Sequence, residues 1–285
     1  MKTVLMLTDF SANATHAAKS SLMLVEKLHA DIFLYNAYDD LPMIPAYTGG
    51  PWVVDEFSFR KNESIVGLTQ LSIQIKHLIT SFCTDDYKPK IDYQSEDGSL
   101  GNNIPAIIQE KDVALIIMGT STNSTLNHFF FGSDTLSVIE HSSCPVLVIP
   151  PKSEMKKIKK VTLATAFELS DINAITYLVG LGKTLCFELE IVHVSLLEES
   201  ENPAKEKAIY NHVDAIKQTS VTYQQIRGKD VINRLNRLCK DNESDMLVLV
   251  HYRHGFFSNI FNKSTTEKAL VNHHIPLMII PSVMA

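Results

Sequence analysis

Two short stretches carry the residue types that could hold a ligand. The first is Thr8-Asp9-Phe10-Ser11, directly after the apolar run Val4 to Leu7. A carboxylate placed where a strand ends can accept hydrogen bonds from sugar hydroxyls. The second runs from Met118-Gly119 through Thr122 to Gly132-Ser133, after the apolar run Val113-Ala-Leu-Ile-Ile-Met118 and before a helix expected from Asp134 to His141. A glycine at a strand end and a Gly-Ser pair at a helix start suit a loop that holds an anion. From Ser133 onward, helix amides and the helix dipole would favour negative charge. The plainer alternative is a connection in which Gly132 sets the turn before a helix cap and Asp9 caps a helix or faces solvent. Between Gly119 and Ser133 there is no Lys or Arg, and His128 is the only group that could become cationic. A phosphate there would rest on amides and on the hydroxyls of Thr120, Ser121, Thr122, Ser124 and Ser133.

The elements that must position these residues follow from hydrophobic periodicity. Val4 to Leu7 reads as a strand, and Ser11 offers a helix N-cap. Ala14, Ala18, Leu22 and Val25 recur on one helix face. Further strands are expected at Ile32 to Ala37, Lys90 to Gln94, Ala114 to Met118 and Val146 to Ile149, with helices over Val53 to Phe82 and near Ile104 to Glu110. The Pro- and Gly-rich segment from Tyr38 to Trp52 reads as a loop, a candidate lid or partner contact. Continuous apolar strands alternating with helices predict a parallel sheet covered on both faces. In such sheets ligands bind beyond the carboxyl ends of the strands, where the strand order reverses.

The chain also repeats itself. Ser143-Cys-Pro-Val-Leu-Val-Ile-Pro150 has a counterpart in His274-Ile-Pro-Leu-Met-Ile-Ile-Pro281, and Lys2-Thr-Val-Leu-Met-Leu-Thr8 has one in Lys160-Val-Thr-Leu-Ala-Thr165. The second half predicts strands near Val161–Leu163, Leu189–Val194, Val221–Gln225, Leu247–Val250 and Leu277–Ile280, with the helix over Ser170 to Leu185 interrupted at Gly180 and Gly182. The expected organisation is a first domain over 1–150, a Pro- and Lys-rich linker over 151–157, and a second domain over 158–285. Each would be an α/β unit built on a doubly wound, five-stranded parallel sheet.

Bulk composition narrows the function classes. The chain has 285 residues, 45% hydrophobic and 20% charged, with a formal net charge of -6. An acidic balance argues against nucleic-acid binding and against docking on an anionic membrane. The short apolar start is no signal segment, and no stretch has the length of a membrane span, which predicts a cytoplasmic protein. Four scattered cysteines form no Cys-x-x-Cys pair and read as small buried hydrophobes. His251-Tyr-Arg-His254 has a spacing that two metal ligands could use, but no second ligand pair accompanies it, so no metal site is predicted. His273-His274 reads as a structural or exposed pair. Phe129-Phe130-Phe131 and Phe256-Phe257 suggest apolar loop patches or an interface. No Gly-x-Ser-x-Gly elbow and no Walker-type phosphate loop occur.

On the Thr8-Asp9-Phe10-Ser11 opening, the 119 to 133 loop and the Ser143 to Pro150 ending, the first half resembles a universal stress protein domain. The whole chain resembles a tandem member of that family. Family members that bind ATP share the pattern Gly, two residues, Gly, nine residues, Gly, then Ser or Thr. Gly119, Gly132 and Ser133 match it, while Thr122 stands at the second glycine. The resemblance implies a site for ATP or another adenine nucleotide, with Mg²⁺ where phosphates require it, formed by Thr8, Asp9, Ala37, Met118, Gly119, Thr122, Gly132 and Ser133. It also implies last strands that pair antiparallel, here between the two halves of one chain, and allows a homodimer. In the second half Ala166 takes the place of Asp9, His251 that of Gly119, His254 that of Thr122 and Lys263 that of Gly132, with Ser264 matching Ser133. No nucleotide is expected there.

The reading is therefore a non-enzymatic stress-response protein that binds an adenine nucleotide and acts through partners. The alternatives are a pure interaction scaffold with a decayed site, and a slow ATP hydrolase, for which no general base or metal-binding carboxylate pair is evident. A β-branched residue at the second loop position hinders close approach of backbone amides to phosphate and tolerates positive φ badly. Thr122→Gly is expected to tighten nucleotide binding by about tenfold, and unchanged affinity by titration calorimetry would remove this account of the loop.

Overall fold

The computed structural model describes residues 2–38, 52–82, 87–120, 133–151, 153, 155, 157–165, 168, 171–196, parts of 203–214, 221–252 and 275–282. The ten strands are β1 (Thr3–Leu7), β2 (Asp31–Tyr38), β3 (Ile91–Asp97), β4 (Val113–Gly119), β5 (Val146–Ile149), β6 (Lys160–Thr165), β7 (Glu188–Leu196), β8 (Val221–Gly228), β9 (Met246–His251) and β10 (Leu277–Pro281). They form one sheet in the order β3-β2-β1-β4-β5-β10-β9-β6-β7-β8. Every neighbouring pair is parallel except β5 with β10. The two five-stranded parallel sheets expected from the sequence are thus joined edge to edge. Their antiparallel seam pairs Leu277 with Val148, Met278 with Leu147 and Ile279 with Val146.

The helices are α1 (Ala12–Ser20), α2 (Leu22–Lys27), α3 (Trp52–Phe82), α4 (Leu100–Lys111), α5 (Ser133–His141), α6 (Asp171–Leu185) and α7 (Val231–Asp241). Because β1, β2 and β3 advance one way and β4 and β5 lie on the other side of β1, right-handed crossovers put helices on both faces. The inner strands are accordingly buried almost end to end, while the edge strands β3 and β8 are half-exposed; Leu5, Ile116, Leu147, Val161 and Val248 are among the residues at or near zero exposure.

Local chemistry explains the boundaries. Ser11 is extended (φ -61°, ψ 160°), and its Oγ accepts the Ala14 amide at 3.2 Å, starting α1. The face of Ala14, Ala18, Leu22 and Val25 is buried as its spacing predicts. The helix breaks at Ser21, whose fully buried hydroxyl donates to the Ala18 carbonyl at 3.0 Å. Such back-bonding competes with the helical ladder. α6 departs from expectation by running unbroken through Gly180 and Gly182. At Gly182 a side chain would come within 3.2 Å of the Phe187 ring, so this glycine admits a packing partner and does not end the helix. The cysteines also divide: Cys144 and Cys239 are buried, which pushes both thiols up to about 11, whereas Cys186 is exposed, contrary to the expectation of a buried residue.

The seam makes a stability prediction. Leu147 is fully buried and stands opposite Met278. Leu147→Ala should lower the unfolding free energy by about 2–5 kcal/mol, read as a shift of the urea midpoint. A loss under about 1 kcal/mol would mean that the seam packs loosely.

Candidate functional site

Strand order reverses between β1 and β4, which are neighbours, with Met6 opposite Ile117. The residues that follow, Leu7-Thr8 and Met118-Gly119, leave the ladder side by side. Thr8 is held on two sides. Its amide donates to the Tyr35 carbonyl at 3.0 Å, and its own carbonyl accepts the Asn36 side-chain amide at 2.7 Å. Its hydroxyl accepts the Phe10 amide at 3.0 Å. That closes a tight turn in which Phe10 adopts a positive φ of 61°. Asp9 is exposed, and its Oδ1 accepts the Ser11 amide at 2.9 Å. The helix-entry role considered for Asp9 is therefore real, through an Asx-type turn.

Asn36, near the carboxyl end of β2, anchors this corner. Its Oδ1 accepts from the Ser64 hydroxyl of α3 at 2.6 Å, and Ser64 is hydrogen-bonded in turn to Ser95 of β3. Ala37, one residue on, is half-buried at the end of β2.

Met118 is buried, and Gly119 does steric work there. A Cβ at Gly119 would lie 2.7 Å from the Asn13 carbonyl oxygen and 2.9 Å from the Ala14 nitrogen. The first turn of α1 thus rests on bare backbone at the end of β4, and Asn13 Nδ2 donates to the Thr120 carbonyl at 3.2 Å. Thr120 is 8% exposed, and its hydroxyl has no hydrogen-bond partner among the described residues. A buried hydroxyl left unpaired costs about 1–3 kcal/mol, so it marks a place where a polar group from outside would be welcome.

Ser133 is the exposed first residue of α5. Asp134 stands beside it in the first turn, its carboxylate 3.5 Å from the Ser133 hydroxyl. The sequence reading passed over this charge, although it opposes an anion at that helix end. Thr122 and Gly132, the remaining predicted site residues, lie outside the described residues. So do Ser121, Ser124, His128, the Phe129–Phe131 run, the loop over 42–51, Cys83, Ala166, His254, Phe256, Phe257, Lys263, Ser264, His273 and His274.

The second half repeats the scaffold and fills the corner. His193 Nδ1 lies 2.9 Å from the Thr165 carbonyl, the same place that Asn36 takes on Thr8. Strand register moves one sequence assignment. Ile116 bonds to the Pro145 carbonyl and Leu247 to the Pro276 carbonyl, and Gly119 pairs with Ile149 as Val250 pairs with Ile280. The counterpart of Gly119 is therefore Val250, and His251 corresponds to Thr120. At the head of α6, Asp171 is fully buried and accepts hydrogen bonds from Thr165, from the Tyr252 hydroxyl and from the Glu168 amide at 3.2 Å. Side chains occupy the corner that α1 leaves at Thr120. A second buried carboxylate, Glu190, sits near the opposite ends of these strands. It is held by Thr162 at 3.2 Å, Gln224 at 3.0 Å and Asn242 at 2.9 and 3.0 Å. So many donors indicate a structural role.

Comparison with known proteins agrees with this geometry. The sequence model of the universal stress protein family matches residues 1–150, more than half of the chain. This chain belongs to the universal stress protein family. A curated universal stress protein of Methanocaldococcus jannaschii is 24% identical over 155 residues, 54% of this chain and 85% of that protein. Among solved structures, a universal stress protein from Archaeoglobus fulgidus superimposes with a TM-score of 0.70 at 18% identity, over 98% of this chain and 96% of that one. A functionally unknown protein from Pseudomonas aeruginosa gives 0.57 at 10% identity, over 99% and 93%. At these identities the structural matches speak for the fold, and the universal stress protein fold spans both halves. Among the described residues no helix is long and apolar enough to cross a membrane.

The close approach at Gly119 yields a direct test. Gly119→Ala must push the Asn13 backbone away, because the clash is with main-chain atoms. The expected result is a loss of about 1–3 kcal/mol in unfolding free energy and weakened protection of the α1 amides in hydrogen exchange. Unaltered exchange at α1 would show that the contact yields freely.

Proposed function

We propose that this universal stress protein binds an adenine nucleotide in its N-terminal half and acts through partners without catalysing a reaction. The carrying observation is the buried Thr120 hydroxyl, without a partner among the described residues, at the end of β4, beside the Thr8-Asp9 turn and at the reversal of strand order. Support comes from the 119-to-133 spacing and from Asp9, whose second carboxylate oxygen is left to face a ribose. The site lies within a first domain over 1–150. The linker over 151–157 leads to a second domain, 158–285, that has kept the scaffold and filled the crevice with Asp171 and Tyr252. The two domains act as a pseudo-dimer about the β5–β10 seam, and the protein works in the cytoplasm.

Asp134 and the lack of Lys or Arg in the loop shape the ligand. Each added phosphate charge meets a carboxylate and no fixed cation, so Mg²⁺ must carry the neutralisation for ATP, and nucleotides with fewer phosphates are penalised less. The same charges favour the second reading, a scaffold whose site has decayed.

Melting the protein with ATP and Mg²⁺ separates the two. A ligand held by the native state alone adds about 2.7 kcal/mol at 100 times its Kd, so millimolar nucleotide should raise the melting temperature clearly. Asp134→Asn should tighten ATP binding by about two- to fivefold and change AMP binding less. No shift with ATP, ADP or AMP leaves the scaffold reading. Steady ADP release abolished by Asp9→Ala would overturn the assignment of a non-enzyme.

A further inference from the structure

The Thr8-Asp9-Phe10 turn is gripped from one side by α3. Ser64 and Gly67 are one helical turn apart and share the face that meets this corner. Ser64 is buried, and its hydroxyl donates to Asn36 at 2.6 Å, while Asn36 holds the Thr8 carbonyl at 2.7 Å. Gly67 makes the second grip. A Cβ there would lie 2.7, 2.8 and 2.9 Å from Cε1, Cζ and Cδ1 of Phe10, so the ring rests on bare helix backbone. Glycine is a poor helix former, and Gly67 stands inside a 31-residue helix without a positive φ. Its own backbone has no need of glycine, whereas the Phe10 ring does. Phe10 in turn depends on that seat. Its φ of 61° is one that a residue with a side chain adopts only against a steric penalty. The Thr8 hydroxyl, which accepts the Phe10 amide at 3.0 Å, and the packing of the ring both offset that penalty. Between these anchors stands Asp9, exposed, with one carboxylate oxygen accepting the Ser11 amide at 2.9 Å. The direction of its side chain is therefore set by the turn, and the turn by a helix remote in the chain.

We propose that Gly67 is a positioning residue for Asp9: it seats the Phe10 ring, and the seated ring holds the turn in the form that aims the Asp9 carboxylate at the ribose of a bound nucleotide. The inference rests on the reading of this corner as a nucleotide site. It adds that recognition of the sugar is governed from α3, by a residue that acts only through Phe10. Strain held at a ligand turn by packing from a neighbouring element is a common way to fix such a group before the ligand arrives. Gly67→Ala must unseat the ring, because three ring atoms stand where the new methyl goes. The turn then loses the packing that offsets the positive φ, and Asp9 loses its fixed direction. The helix itself gains, since alanine is the better helix former.

The test is titration calorimetry of the full chain with ATP and with its dideoxyribose analogue, which lacks both ribose hydroxyls, each with Mg²⁺. The wild type should prefer ATP by about tenfold, the worth of a hydrogen bond to a carboxylate. Gly67→Ala should cut that preference to about twofold or less and leave the analogue's affinity within about twofold of wild type. Asp9→Ala should do the same, and Gly67→Ala/Asp9→Ala should lose no more than either alone. Phe10→Gly/Gly67→Ala should regain the preference, because glycine takes a positive φ freely and leaves room for the methyl. A glycine needed for packing alone would weaken both nucleotides equally and keep the preference. Amide hydrogen exchange tests the grip without ligand: in Gly67→Ala the Phe10 and Ser11 amides should exchange about tenfold faster, with Leu71 and Ile75 unchanged. Unchanged exchange at Phe10 and Ser11 overturns the proposal, as does a preference for ATP that survives Gly67→Ala or is not regained with Phe10→Gly. A wild type that binds neither nucleotide overturns the ribose role together with the nucleotide reading, and the exchange result then shows separately whether α3 holds the turn.

Discussion

The antiparallel seam between β5 and β10 is the contact on which the architecture turns. Both strands are wholly apolar and buried. Left alone, each would end its half in an open row of unpaired amides and carbonyls, a template for aggregation. Pairing them spends three residue pairs to remove two hazards at once. It also explains why the repeated Pro-Val-Leu-Val-Ile-Pro and Pro-Leu-Met-Ile-Ile-Pro segments survive in both halves when most else has drifted. A strand that must fit its own relative across a local two-fold has little freedom to change.

Away from the seam the halves diverge at one corner. In the first, Gly119 lets α1 settle on the end of β4, and the neighbouring Thr120 hydroxyl is left unpaired among the described residues. In the second, Val250 stands at the glycine position, and Asp171 reaches in to accept hydrogen bonds from Thr165 and Tyr252. The same backbone supports a crevice with polar demand in one case and a closed hydrogen-bonded plug in the other. A buried carboxylate that receives several donors is stable without a ligand, whereas an unpaired hydroxyl is not.

Much of this was legible from residue order. Short apolar runs marked the inner strands, because burial on both faces leaves a strong signal, whereas the half-exposed edge strand β3 showed only by alternation; the antiparallel pairing of the last strands was implied by the family resemblance and not by a local pattern. The helix over 171–185 was misread as broken, since a glycine's propensity cost is visible in sequence while the ring of Phe187 that packs on it is not. The anchoring role of Asn36 depends on strands far apart in the chain, and Thr120 was legible only as one of several loop hydroxyls, its burial depending on α1 packing over the end of β4. Asp134 could have been noticed: an acidic residue in the first turn of a helix is a plain stabilising choice, and it competes with any anion brought to that end. Strand register sets Val250, and not His251, at the Gly119 position, which makes the two loops up to Ser133 and Ser264 equal in length.

Because β5 and β10 run in opposite directions while β4 follows β5 and β9 follows β10, the carboxyl ends of β4 and β9 face opposite rims of the sheet. The corner beside Thr120 and its filled counterpart therefore look away from each other. A binding protein that grips the rim beside Thr120 meets one half's chemistry alone, and the far rim stays available to a different visitor. One polypeptide so acquires two poles of different chemistry.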